Sequence, residues 1–247
     1  MDLLSIFGIV LGIAAVVLGN LLEGGSISML LNKPAALIVF GGTLGAIILQ
    51  TPAHELRRAL SLATWVLWPP NSIASGAVDN IVHWARRTRK DGLMGLEKEL
   101  DTQPEEFVRK GLELIIDGGD PVGIRRAMEM DLSTQLDADL AAAAVFRNMG
   151  GYSPTIGIIG AVLGLMQVMS NLADPSELGP GIATAFVATI YGVGFANLLL
   201  LPMADRIRAM VVQQSHAKML WLEGLMAIAE GEHPTAIKIR LSALGNP

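Results

Sequence analysis

Apolar residues in this chain gather into four long blocks instead of being spread evenly among polar ones. The blocks run from about Leu3 to Leu22, Pro34 to Leu49, Tyr152 to Met169 and Gly181 to Met203. Each is close to the roughly 20 residues a helix needs to cross about 30 Å of hydrocarbon. The first two predict one hairpin of membrane-spanning helices and the last two a second. The first block has neither a basic leader region nor a clear A-x-A cleavage site and leads directly into the second, so it reads as a retained span.

Between the hairpins the pattern changes to apolar residues at three and four spacing among charges, the mark of amphipathic helices. Ala77, Ile81, Trp84 and Ala85 predict a helix capped by Asn71 or Ser72 and interrupted by Gly92. Leu93, Leu96 and Leu100 continue as a short amphipathic piece. Pro104, Glu105 and Glu106 predict the first turn of a helix carrying Phe107, Val108, Leu112, Ile115 and Ile116 and stopped by Gly118 and Gly119, and Asp120–Pro121 starts another. The alanine-rich stretch from Leu132 to Arg147 predicts a helix running on toward the third span. Beyond the fourth span, helical spacing continues through Ile207, Met210, Val211, Leu220, Leu225 and Met226. The expected fold is all-α: a polytopic membrane protein with a spanning hairpin at 1–50, a cytoplasmic helical domain at 51–151, a second hairpin at 152–203 and a cytoplasmic helical tail at 204–247.

Charge adds orientation. Of 247 residues 51% are apolar and only 17% charged, too apolar a balance for an ordinary soluble domain. Twelve of the basic residues, from Arg57 to Arg147, lie between spans two and three, and Arg206, Arg208, Lys218, Lys238 and Arg240 follow span four, leaving Lys33 for the other side. Basic short loops stay in the cytoplasm, so both termini and the middle segment are placed there. The exported loops, Glu23 to Lys33 and Asp174 to Pro180, are too short for an exported receptor or enzyme domain. A net charge of −5 implies no nucleic-acid partner, and the lack of cysteine excludes disulfides and thiolate metal sites. His54, His83, His216 and His233 show no ligand spacing, so neither a metal nor a cofactor is expected.

Chemistry at depth is sparse. Membrane proteins that move ions usually carry a titratable group inside a span, yet all 23 acidic residues lie outside the four blocks. Thr43, Thr155, Gln167, Thr184, Thr189, Tyr191 and Asn197 remain, groups that hydrogen-bond but hold no proton reversibly near neutral pH. If the chain serves ion flux, a partner must supply the carboxylate. Gly8, Gly12, Ala15 and Gly19 share one face of the first span, Gly41 and Gly45 of the second, and Gly157, Gly160, Ala161 and Gly164 of the third, patterns that serve either packing within the chain or an interface between chains. Pro154 and Pro202 lie at the cytoplasmic ends of spans three and four. Each serves either as a boundary residue, Pro154 as a first-turn proline of its span, or as half of a hinge.

Four spans split two and two by a cytoplasmic domain, with RKDGLMGLE at 89–97, PTIGIIGAVLGL at 154–165, ATIYG at 188–192 and the later Pro202, resemble the A subunit of the bacterial flagellar motor stator, the MotA/PomA family, including its MotC-type paralogues. The resemblance covers most of the chain. It implies a bacterial inner-membrane subunit, not an enzyme, forming a ring-shaped homo-oligomer, a pentamer, around a single-span, peptidoglycan-binding MotB-like partner that carries the essential aspartate. Ion flow would drive torque on a FliG-like rotor switch protein. By the same resemblance Arg89 and Glu97 face the rotor, Pro154 and Pro202 couple flux to motion, and Thr189 faces the ion path, where Thr155 is placed as well. Sodium-driven relatives resemble one another in a threonine where this chain has Ala161, which implies protons as the transported ion. A related alternative is the ExbB/TolQ type of proton-driven energiser of outer-membrane processes, which typically has one span before its cytoplasmic region where this chain has two.

Overall fold

Four helices are long and apolar enough to cross a membrane: Leu3–Leu22, Ile27–Gln50, Pro121–Ser170 and Leu178–Ala229. The structure is a computed structural model describing residues 3–70, 73–171 and 175–244, and among the described residues every regular element is helical.

The first helix, α1 (Leu3–Leu22), is apolar apart from Ser5 and Asn20 and buries none of its residues. After it the chain makes one turn at Ile27–Leu30, extends through Leu31 and Asn32, and re-enters helix as α2 (residues 33–50). Asn32 caps the new helix, its Oδ1 accepting from Ala35 N at 2.9 Å, and Pro34 occupies the first turn, where a missing N–H costs nothing. A π turn at Leu37–Gly41 interrupts α2. Pro52 then opens the amphipathic helix α3 (Ala53–Ala63).

Helix α4 (Ala77–Asp91) starts after Gly76 at φ +74 and ends where Gly92 takes the same φ. The caps expected at Asn71 and Ser72 lie outside the described residues, and the helix begins several residues later, where Gly76 alone accommodates the reversal. A 3-10 turn, Leu93–Leu96, leads into α5 (Glu97–Thr102), followed by α6 (Glu106–Ile116). Asp120 Oδ2 accepts from Gly123 N at 3.1 Å and so opens α7 (Pro121–Ser170), 50 residues long. The last long helix, α8 (residues 175–229), passes through a π turn at Ala196–Leu200, and α9 (Pro234–Leu244) ends the described chain.

Two expectations are corrected here. The exported loop predicted over 174–180 is already helical from Pro175, with Pro180 inside the helix; Asp174 itself is outside the described residues. Pro154 is not a first-turn proline, because α7 starts at Pro121 and carries Pro154 in its interior.

The chain packs as two units, Met1–Pro69 with Asp139–Ala209 and Pro70–Ala138 with Met210–Pro247. The second has a core of Trp84, Leu96, Phe107, Leu112, Ile115, Met128, Leu222, Leu225, Met226, Ile237 and Leu241. Trp84 and Trp221 stand 5.2 Å apart, and the Trp221 indole donates to Ile73 O at 2.9 Å. Arg125 grips Glu223 through both nitrogens, at 2.7 and 3.4 Å. That hydrogen bond lowers the Glu223 carboxyl below the ordinary carboxylate range, burial opposing it, and raises Arg125.

The first unit is organised by glycine. A Cβ at Gly157 would lie 2.8 Å from Ala188 O, one at Gly164 2.7 Å from Gly181 O, and one at Gly192 2.6 Å from Ser153 O. Backbone therefore touches backbone along α7 and α8, the arrangement that membrane helices use to gain dispersion contacts where no hydrophobic force drives them together. The small residues of span three thus serve packing within the chain. In α1, by contrast, Gly8 and Gly19 have nothing within 4 Å, and Gly12 reaches only Leu198 at 3.5 Å.

Candidate functional site

The polar groups in the spans are mostly turned onto their own helices. Thr43 donates to Val39 O at 2.6 Å, Thr155 to Tyr152 O at 2.8 Å, Thr189 to Ala185 O at 3.2 Å and Asn197 to Val193 O at 2.9 Å. Each threonine hydroxyl uses its proton on the backbone and keeps its oxygen lone pairs for other work, so it can accept from water or meet a cation but cannot carry a proton away. Thr155 is exposed, Ala161 and Thr189 half-buried.

Pro154 meets the other helix directly. A Cβ at Gly192 would stand 3.2 Å from Pro154 Cα, so the proline of α7 lies against the glycine three residues beyond Thr189. Next to it Ser153 is fully buried. Pro154 and Ala161 are seven residues apart, two turns along one side of α7. Pro202 stands two residues beyond the last residue of the π turn of α8. A proline ring crowds the carbonyl four residues back and offers it no N–H, and the wider π turn gives that carbonyl room. Pro202 also lines a cavity of about 560 Å³ with Ser5, Gly8, Asn197, Leu198 and Arg206. Just beyond the two prolines, Arg147 on α7 pairs with Asp205 on α8.

A second polar cluster joins α2 to α8. Tyr191 donates its hydroxyl to Leu30 O and accepts from Asn32 N at 3.3 Å, while Asn32 Nδ2 donates to Thr184 Oγ1 at 2.9 Å. Phe40 stacks on Tyr191 with centroids 5.7 Å apart and meets Phe195 edge-on at 4.9 Å. Tyr191 thereby occupies Leu30 O and Asn32 N, two backbone groups at a break in the helix that a membrane would otherwise penalise. Sequence reasoning missed this cluster. The Asn-Lys-Pro run at 32–34 signals a cap, but nothing local ties it to a tyrosine 159 residues away.

In the second unit, Arg89 and Glu97 are both exposed, and among the described residues neither has an ion-pair partner within 4.0 Å. Their neighbours Arg87 and Glu99 pair with each other at 2.6 Å. In the first unit Arg58 donates to Asp139 at 2.6 Å, which raises the arginine further above neutrality.

These features define a multi-pass helical membrane protein whose spans offer hydroxyls, amides and prolines within helices. The sequence pattern of the MotA/TolQ/ExbB proton channel family matches residues 99–219. Motility protein A of Bacillus subtilis (strain 168) is 32% identical over 243 residues, covering 98% of this chain and 90% of that one. A solved structure of C. jejuni MotAB aligns with TM-score 0.91 at 26% identity, over 99% of this chain and 96% of that chain. The flagellar MotAB stator complex from Bacillus subtilis aligns with TM-score 0.86 at 31% identity, over 95% and 92%. This chain belongs to the MotA/TolQ/ExbB proton channel family, and it is a multi-pass protein of the bacterial inner membrane.

Proposed function

We propose that this chain is the A-type stator subunit of a flagellar motor, which couples proton flow across the inner membrane to torque on the rotor. The observation that carries this is a set of four spans with no acidic, basic or histidine side chain at depth in a member of a proton channel family. Such a chain forms one wall of an ion path and needs a proton-binding carboxylate from elsewhere. The two solved relatives are MotAB structures, so a single-span, MotB-like partner supplies the aspartate, with this chain in a ring around it. The chain carries no catalytic turnover of its own.

Within that scheme Thr155, Ala161 and Thr189 line the path on α7 and α8, Pro154 and Pro202 couple flux to helix movement, and Arg89 and Glu97 face the rotor's switch protein. Ala161 supports protons as the ion, since a methyl group cannot replace part of sodium's hydration shell. The hairpin of α1 and α2 ahead of the cytoplasmic segment favours the flagellar branch over the ExbB/TolQ type.

The test is complementation. Expressed with a single-span, MotB-like partner from the same genome in a strain lacking its own stators, the chain restores flagellar rotation, and rotation persists when external sodium is replaced by potassium. Failure to rotate despite normal membrane insertion of both proteins overturns the stator assignment. Rotation that stops in potassium overturns the proton assignment alone.

A further inference from the structure

The corner between α4 and α5 is fixed by contacts of several kinds. Helix α4 stops because Gly92 takes φ +74, a conformation side-chain-bearing residues avoid. The 3-10 turn that follows ends in Leu96, which is fully buried in the core. Gly95 lies close against α4: a Cβ there would meet Asp91 Cβ at 3.0 Å and Arg87 Cγ at 3.5 Å. Arg87 Nη1 then donates to Glu99 Oε1 at 2.6 Å, with side chains 28% and 22% exposed, and His83 Nε2 stands 4.0 Å from the same oxygen. Helix α5 is six residues long and has no buried residue of its own. Leu96 anchors its start, and the Arg87–Glu99 contact ties its body to α4.

Arg89 lies two residues after Arg87, and Glu97 two residues before Glu99. Two residues are about 200° of helical rotation. The outer charges therefore leave their helices on the side away from the tie, and both are exposed. Arg87 and Glu99 neutralise each other, whereas Arg89 and Glu97 stand open to a partner.

We propose that the Arg87–Glu99 ion pair is a positioning element that holds α5 against α4 and so sets the placement of Arg89 relative to Glu97 for a protein surface of complementary charge on the rotor. This rests on the rotor-facing assignment of Arg89 and Glu97 made above. Partly exposed ion pairs contribute little to overall stability. What this one contributes is geometry, because electrostatic recognition depends on where each charge stands.

The experiment uses the complete stator complex in cells without other stators, with torque per stator unit measured at stall and speed measured near zero load. R87Q and E99Q each lower stall torque while membrane abundance and low-load speed stay at the wild-type level, and the exchange R87E/E99R restores torque. In an R89A/E97A background R87Q causes no further loss, as expected for residues acting as a unit. Unchanged stall torque in R87Q and E99Q, with R89A/E97A impaired, overturns the positioning role and leaves the rotor-facing assignment standing. An equal loss from R87Q in both backgrounds also overturns it. If R89A/E97A itself keeps full torque, the rotor-facing assignment fails and the positioning role with it. Should R87Q and E99Q fail to reach the membrane, the exchange variant decides, and lost torque at normal abundance counts against the pair.

Discussion

Individual glycines separate cleanly by what they touch. At Gly192 a Cβ would meet Ser153 O at 2.6 Å, and a backbone atom cannot swing aside as a side-chain tip can; at Gly194 it would meet nothing within 4 Å. Gly192→Ala is therefore expected to destabilise the α7–α8 contact by about 1–3 kcal/mol, in the range of overpacking, with Gly194→Ala near neutral. Thermal unfolding of the detergent-extracted complex measures the difference. Tyr191→Phe keeps the ring on Phe40 and removes the hydroxyl from Leu30 O and Asn32 N, a loss of about 1 kcal/mol for interhelical bonds in membranes. Faster amide exchange around residues 30–32 would report it, and unchanged exchange would count against the cluster as the clamp on that break.

At the scale of elements, the two π turns and the long helices matter most. Pro202→Ala restores an N–H for the carbonyl of Leu198, so regular helix replaces the π turn at Ala196–Leu200. Membrane abundance is expected to hold while rotation falls several-fold or more, which a swimming assay and an immunoblot together resolve; full rotation would remove Pro202 from the coupling apparatus. Helix identity was largely legible in the chain itself. Asp120–Pro121 marks the start of α7, Gly92 the end of α4, and the blocks of apolar residues the spans, because these signals are local in sequence. The start of α4 and the helix over 175–180 were not legible, since Gly76 and Pro180 carry signals that tertiary context decides. A proline in mid-helix looks from sequence like a boundary, and only the 50-residue continuity of α7 shows Pro154 as interior. The candidate functional residues divide in the same way. Arg89 and Glu97 were readable through a motif, whereas the pairs Arg87–Glu99, Arg58–Asp139 and Arg147–Asp205 join separate elements and have no local signature.

Across the whole molecule, chemistry is divided between the two packing units. The first holds the hydroxyls and prolines at depth; the second holds the open charges and an ionic network in which Arg125 grips Glu223 while Arg240 donates to Glu232 at 2.8 Å and to Glu223 O at 3.1 Å. Because the folded-state carboxyl of Glu223 is depressed, its contribution to stability is fully present above the ordinary carboxylate range and is lost as pH falls through its lowered value. Unfolding of the second unit in the complete complex should therefore grow easier at acid pH, and Glu223→Gln should flatten that dependence at a cost of about 1 kcal/mol near neutrality. A pH series of thermal denaturation curves on both forms checks the slope.

The backbone contact along α7 and α8 limits how those spans can work. Gly157, Gly164 and Gly192 put backbone against backbone at three levels of the seam, so sliding one helix past the other gives up close contacts that only glycine allows. Of the relative motions open to two rods, translation is the one this seam opposes. In the proposed motor, work leaving these spans is then expected to emerge as bending at the prolines or as turning of the pair as one body, and a cross-link between α7 and α8 within the seam should leave the motor running.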